Sequence, residues 1–160
     1  MKIRIGQGYD VHQLVENRPF WLGGIKIAEN FGALGHSDAD VLIHAICDAL
    51  LGAANLRDIG FHFSNNDPKY AGIDSKILLA ETMLLIRNAG FEVGNIDSTV
   101  VLEHPKVNPH IADMKKTMAV VMDIPENDIS IKATTSETLG FVGRREGVEA
   151  HAIVLLRSAI

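Results

Sequence analysis

The chain has 160 residues, 47% hydrophobic and 22% charged, proportions that fit one globular domain with a real core and exclude a disordered segment. A net charge of −5 argues against a broad nucleic-acid-binding face, which needs a basic surface, and no apolar run approaches the roughly 20 residues that span a bilayer. A single cysteine, Cys47, allows no intrachain disulfide; with no apolar or Arg/Ser-rich leader, it predicts a cytoplasmic protein without nucleic-acid or membrane partners.

Ile3 to Val11 alternate loosely and predict a first strand. Within it Asp10 and His12 are two apart, so their side chains share a face. Phe20 to Ile27 predict a hairpin turning at Gly23-Gly24. Ser37 and Asp38 are suitable N-caps for a helix over Ala39 to Ala54, where Leu42, Ala45, Ile46, Ala49 and Leu50 form one stripe. His44 falls in the first turns of that helix. A strand pair and one helical residue can converge, and two imidazoles with a carboxylate make a zinc set whose fourth position stays open for catalysis. The same donors suit other divalent ions. Cys47, one turn beyond, reads as a buried small hydrophobe. Asp48, at i+4 from His44, either orients the imidazole from behind or caps a surface stretch.

Asp58 to Gly72 are rich in Gly, Asn, Asp and Pro and predict a long loop, a length usually tied to function. Ser75 to Ala89 predict a second helix ended by Gly90. Glu92 to Leu102 predict a strand, and Pro109 to Met122 a third helix with its proline near the start. Ile129 to Ala133 and Val148 to Leu156 predict two further strands, the last so apolar that it should be central. The order suits an α+β architecture, helices on one face of a mixed sheet, as one catalytic domain over residues 1–160. Apolar residues on the other sheet face predict a subunit contact.

Lys132 to Glu137 admit two readings. Backbone amides and the Thr134, Thr135 and Ser136 hydroxyls suit phosphate oxygens, with Glu137 on a hard cation. Alternatively the segment is an ordinary Ser/Thr-to-Glu cap. In the glycine-punctuated stretch Gly140 to Gly147, Arg144 either binds an anion or pairs with Glu146 or Glu149.

Together, Gly8-Tyr9-Asp10-Val11-His12, His36-Ser37-Asp38-Ala39-Asp40-Val41, His44-Ala45, Asp48-Ala49-Leu50-Leu51-Gly52-Ala53-Ala54, Asp58-Ile59-Gly60 and Lys132-Ala133-Thr134-Thr135 closely resemble one family. It is the 2-C-methyl-D-erythritol 2,4-cyclodiphosphate synthase family of the non-mevalonate isoprenoid pathway, and the resemblance runs from Ile3 to about Leu156. It implies a ferredoxin-like α+β unit that forms a homotrimer packed through its sheets, with active sites between neighbouring subunits. It also implies a lyase that cyclises 4-(cytidine diphospho)-2-C-methyl-D-erythritol 2-phosphate. In that reaction the 2-phosphate attacks the β-phosphate and CMP leaves.

Residue by residue, the resemblance implies Zn²⁺ on Asp10, His12 and His44. His36 and Ser37 would lie near the 2-phosphate, Asp58 and Gly60 at the methylerythritol hydroxyls, and Phe63 and Asp67 in a substrate-covering loop. Pro105, Lys106, Ala133, Thr134 and Thr135 would form the cytidine pocket. Glu137 would hold Mg²⁺ or Mn²⁺ between the α- and β-phosphates, and His36, Thr135 and Glu137 would be the catalytic side chains. Phe141 and Arg144 would face the trimer axis and a prenyl phosphate there. The chain departs from the family pattern at Ser64-Asn65-Asn66, at Val107-Asn108 and at Arg145.

Overall fold

A computed structural model describes residues 1–159. Strand β1 (Ile3–Glu16) is followed by the hairpin β2 (Phe20–Leu22) and β3 (Ile25–Ala28), the short β4 (Phe31–Ala33) and helix α1 (Val41–Ala53). A short α2 (Ile59–His62) precedes α3 (Ser75–Asn88), β5 (Phe91–Val101), α4 (Ile111–Met122), β6 (Ile129–Thr134), a single turn α5 (Gly140–Gly143) and β7 (Gly147–Ser158).

The main sheet has the order β4-β1-β7-β5-β6. β7 is its centre, as its apolar run predicts, pairing antiparallel with both β1 and β5. Only β5 and β6 run parallel, so the sheet is mixed. Alternation decides the faces. Gly6 and Gly8 of β1 and Val148, Ala150, Ala152 and Val154 of β7 are buried against the helices. Ile3, Ile5, Tyr9, Val11 and Ile153 are exposed on the opposite face. Helix α1 is buried nearly all round, from Val41 to Ala53, because it lies on β1 and β7 with α3 beside it.

Several boundaries differ from the sequence expectation. Helix α1 begins at Val41, and its N-cap is Asp40 rather than Ser37 or Asp38. The Asp40 carboxylate accepts from the Ile43 N–H at 3.1 Å and from the Gly23 and Gly24 N–H groups at 3.0 and 2.7 Å. It therefore ties the hairpin turn to the helix start. Three residues able to cap within four positions hid which one caps. Residues 58–72 are not one open loop. They hold α2 and a 3₁₀ turn at Pro68–Tyr70 capped by Asp67. The third helix starts at Ile111 behind a separate 3₁₀ turn, Asn108–His110. β4 and α5 are too short to leave a periodic signal.

Candidate active site

Asp10 and His12 leave β1 on the helix side, and His44 descends from the first turn of α1. Asp10 Oδ2 lies 2.8 Å from His12 Nε2 and 3.1 Å from His44 Nδ1, and the two nitrogens are 3.3 Å apart. An ion held tetrahedrally at about 2.1 Å keeps its ligand atoms roughly 3.4 Å apart, so this set fits a divalent metal. Among the described residues it is the one cluster of three or more such donors. Burial would raise the Asp10 carboxyl, but its contacts with His12 and His44 outweigh that and hold it at about 2. Burial would lower the His12 imidazole, and Asp10 with the Leu34 carbonyl raises it instead.

The proton on each ring is assigned by its far-side partner. His12 Nδ1 is 2.9 Å from the Leu34 carbonyl oxygen. A carbonyl only accepts, so Nδ1 carries a hydrogen and Nε2 is the ring atom turned to the cluster. His44 Nε2 faces the hydroxyls of Ser75 at 2.9 Å and Ser37 at 3.2 Å, leaving Nδ1 towards Asp10. Such far-side bonds are what orients an imidazole on a metal. Asp48 is not one of them. Its carboxylate accepts from the Ile59 N–H at 2.8 Å and anchors α2, the capping reading left open by the sequence. Cys47 is fully buried, as expected.

Beside His44 is a small cavity of about 50 Å³ whose lining includes His36, Ser37, Gly60, Phe63 and Asn65. It brings together four of the residues expected near substrate. Arg18 holds this wall by donating to the Gly35 and Ser37 carbonyls at 3.2 and 3.0 Å, a role the sequence did not signal. His36 Nε2–H donates to the Asp67 carbonyl at 3.2 Å. The Asp67 carboxylate accepts from its own turn, at the Lys69 N–H, and Asp58 stands exposed ahead of α2.

A second group of expected residues gathers at the far edge of the sheet. Lys106, Ala133, Thr134 and Thr135 line a cleft of about 90 Å³ with Leu102, Val107 and Asn108, and Pro105 follows His104 through a cis peptide. His12 pairs with Val148, Glu149 with Val101, and Val101 with Thr134. The two groups thus lie near one row, three strand spacings or roughly 14 Å apart. The turn after Thr135 is strained, with Glu137 and Thr138 at φ 56° and 62°. Glu103 secures it, one oxygen accepting from the Ser136 N–H and hydroxyl and the Thr138 N–H at 3.1, 3.2 and 3.2 Å. Desolvation pushes the Glu103 carboxyl up, but these donors outweigh it and hold it below the ordinary range. Sequence reasoning missed Glu103 because nothing in its neighbourhood has metal-ligand or capping spacing. Glu137 is exposed. Phe141, with Val11, Gln13, Glu146 and Gly147, lines an open depression of about 440 Å³. Arg144 pairs twice with Glu146, at 3.0 and 3.1 Å, not with Glu149. Glu149 instead accepts from the Tyr9 hydroxyl at 3.0 Å.

The YgbB family model matches residues 3–157. The chain belongs to the YgbB family. Among its relatives, proteins called 2-C-methyl-D-erythritol 2,4-cyclodiphosphate synthase from Parabacteroides distasonis and Cytophaga hutchinsonii are 67% and 61% identical. Each alignment covers 98% of this chain and 98% of the relative. The resemblance carried by the sequence motifs is therefore borne out. Among solved structures, the YgbB chain matches the bifunctional IspDF of Campylobacter jejuni at a TM-score of 0.95 and 41% identity, covering 98% of this chain but 42% of that one. It also matches the CDP complex of Plasmodium falciparum IspF at a TM-score of 0.87 and 37% identity, covering 99% and 97%. The mixed α+β fold is thus shared with these proteins. No helix among the described residues is long and apolar enough to cross a membrane.

Proposed function

We propose that this YgbB-family chain is a metal-dependent 2-C-methyl-D-erythritol 2,4-cyclodiphosphate synthase. It closes 4-(cytidine diphospho)-2-C-methyl-D-erythritol 2-phosphate into the cyclic diphosphate and releases CMP, as a phosphorus–oxygen lyase. The observation that carries the reading is the meeting of Asp10, His12 and His44 at one point, with one nitrogen of each ring turned inward, in a chain up to 67% identical to proteins of that name.

Asp10, His12 and His44 would hold Zn²⁺. Bound there, the ion supplies Lewis acidity to a phosphoryl oxygen and offsets the repulsion between two phosphates. Glu137 would offer its carboxylate to Mg²⁺ or Mn²⁺, whose charge would offset that of the diphosphate. The protein's own task is alignment, since an intramolecular attack gains most from a folded, in-line substrate. His36, Ser37, Asp58, Gly60, Phe63 and Asp67 hold the erythritol phosphate end. Pro105, Lys106, Ala133, Thr134 and Thr135 hold the cytidine end, with Thr135 beside the transferred group. The apolar outer sheet face supports a homotrimer, with each active site completed by a neighbouring subunit and Phe141 and Arg144 facing a prenyl phosphate on the axis. The whole chain acts as one catalytic domain, in the cytoplasm, where a single buried thiol is at home.

The test is incubation of the protein with that CDP-linked substrate, Zn²⁺ and Mg²⁺. Release of CMP is expected, with a product whose phosphorus resonances all lie in the diphosphate region, the only new monoester signal being that of CMP. Inorganic phosphate as the product would instead make the chain a metal-dependent hydrolase.

A further inference from the structure

We infer that Ser75, held by Asp38, is a positioning residue that fixes the ring proton of His44 and so turns its Nδ1 lone pair to the Asp10–His12 point. The inference rests on the metal reading of that point.

Ser75 is fully buried at the first position of α3. Its N–H donates to Asp38 Oδ2 at 2.9 Å, and its hydroxyl makes a short contact with Asp38 Oδ1. A carboxylate oxygen accepts and does not donate, so the Ser75 hydroxyl proton is committed to Asp38. The only role left for Ser75 Oγ towards His44 Nε2, 2.9 Å away, is acceptor. A proton must then sit on Nε2; the Asp10 carboxylate, 3.1 Å from Nδ1, can draw a second proton there, and that second proton is the one a metal ion would displace. Asp38 is itself held, since Oδ1 also accepts from the Asp40 N–H at 3.2 Å, and Oδ2 accepts from the Ser75 N–H at the positive end of α3, whose N-cap is Asp74.

Ser37 makes this relay necessary. Its Oγ lies 3.2 Å from the same ring nitrogen and accepts from the Ala39 N–H at 3.1 Å, so its own hydroxyl proton is free. Without the Ser75 acceptor, Ser37 can donate to Nε2, which places the ring proton on Nδ1 and blocks the donor atom that the metal requires. With Ser75 present, Nε2–H is already made, and the Ser37 proton is left for a ligand in the adjoining cavity. A histidine on a metal usually donates its other ring N–H to a carboxylate, a backbone carbonyl or water, as His12 does to Leu34. At His44 a hydroxyl stands between the ring and the Asp38 carboxylate and passes on the polarity.

Two measurements on the full chain test this. Nitrogen-15 NMR of the metal-free wild-type imidazoles should show a proton on His44 Nε2, and a bare Nε2, with the proton on Nδ1 alone, overturns the relay. Zinc titration against a chromogenic chelator should show Ser75→Ala binding about ten- to a hundredfold more weakly than wild type, the range typical of lost far-side partners. Asp38→Asn should weaken binding in the same direction, and excess zinc should restore occupancy in both. Affinity of Ser75→Ala within about twofold of wild type would remove the role, given that range. If either variant fails to fold, the wild-type ring signal decides alone. If wild type takes up no zinc, the metal reading fails, while the ring signal still judges the Asp38–Ser75–His44 arrangement.

Discussion

A methyl group on Gly8 would end 1.9 Å from the carbonyl oxygen of Ala45, inside any contact that real atoms make. Gly6 stands in the same relation to Ala49, one turn along α1. The helix thus rides on β1 at a separation only glycine permits, and that separation lets His44 reach Asp10. Gly8→Ala should force α1 away from the sheet. The expected cost is about 1–3 kcal/mol or more from overpacking, together with weakened zinc uptake. Gly52, on the same helix, has open space around its α-carbon. Gly52→Ala should raise stability by about 0.5–1 kcal/mol through helix propensity alone. Thermal melts of the two variants, compared with wild type, check the contrast.

His12→Ala and Asp10→Ala should each abolish turnover and lower bound zinc, because a three-donor centre loses a third of its ligands and Asp10 its charge balance. Metal analysis of the purified variants beside a CMP-release assay measures both. Full activity in a metal-stripped variant would contradict the proposed chemistry.

Glu137→Ala should slow the reaction yet retain zinc, since Glu137 is exposed on a separate turn and contributes nothing to the Asp10–His12–His44 cluster. Zinc loss in this variant would show that the two ions are wrongly divided between the two places.

Cys47 should resist alkylation in the native protein. Burial pushes its thiol up to about 12, and the thiolate is the reactive form. Near pH 8 a thiol reagent should label the chain only after denaturant is added. Rapid labelling without denaturant would show that α1 opens readily.

The Asp10–His12 pair was legible because strand period two puts both on one face, and His44 because an apolar stripe fixed its helix. The central place of β7 was legible from its unbroken apolar run. Less visible were contacts made by common residue types at large sequence separation. Ser75 reads locally as nothing more than a helix start, although its hydroxyl meets both Asp38 and His44. Glu103 and Arg18 act on backbone groups, which carry no sequence signature. The helix start was misread for a related reason. Asp40 caps α1 because the hairpin turn supplies two further N–H groups to it, and that turn lies in a different segment.

The two clusters of expected residues sit near one row but towards opposite edges of the sheet, on β1 and β6, with β7 and β5 between them. In the proposed cyclic assembly, damage at one edge leaves the other edge of the same polypeptide sound and available to its neighbour. Two dead variants, His12→Ala and a disrupted Thr134–Thr135 cradle, should therefore rescue one another when unfolded and refolded as a mixture. Random association in a ring would restore about a quarter of the wild-type rate, because one composite centre in four then draws both intact halves.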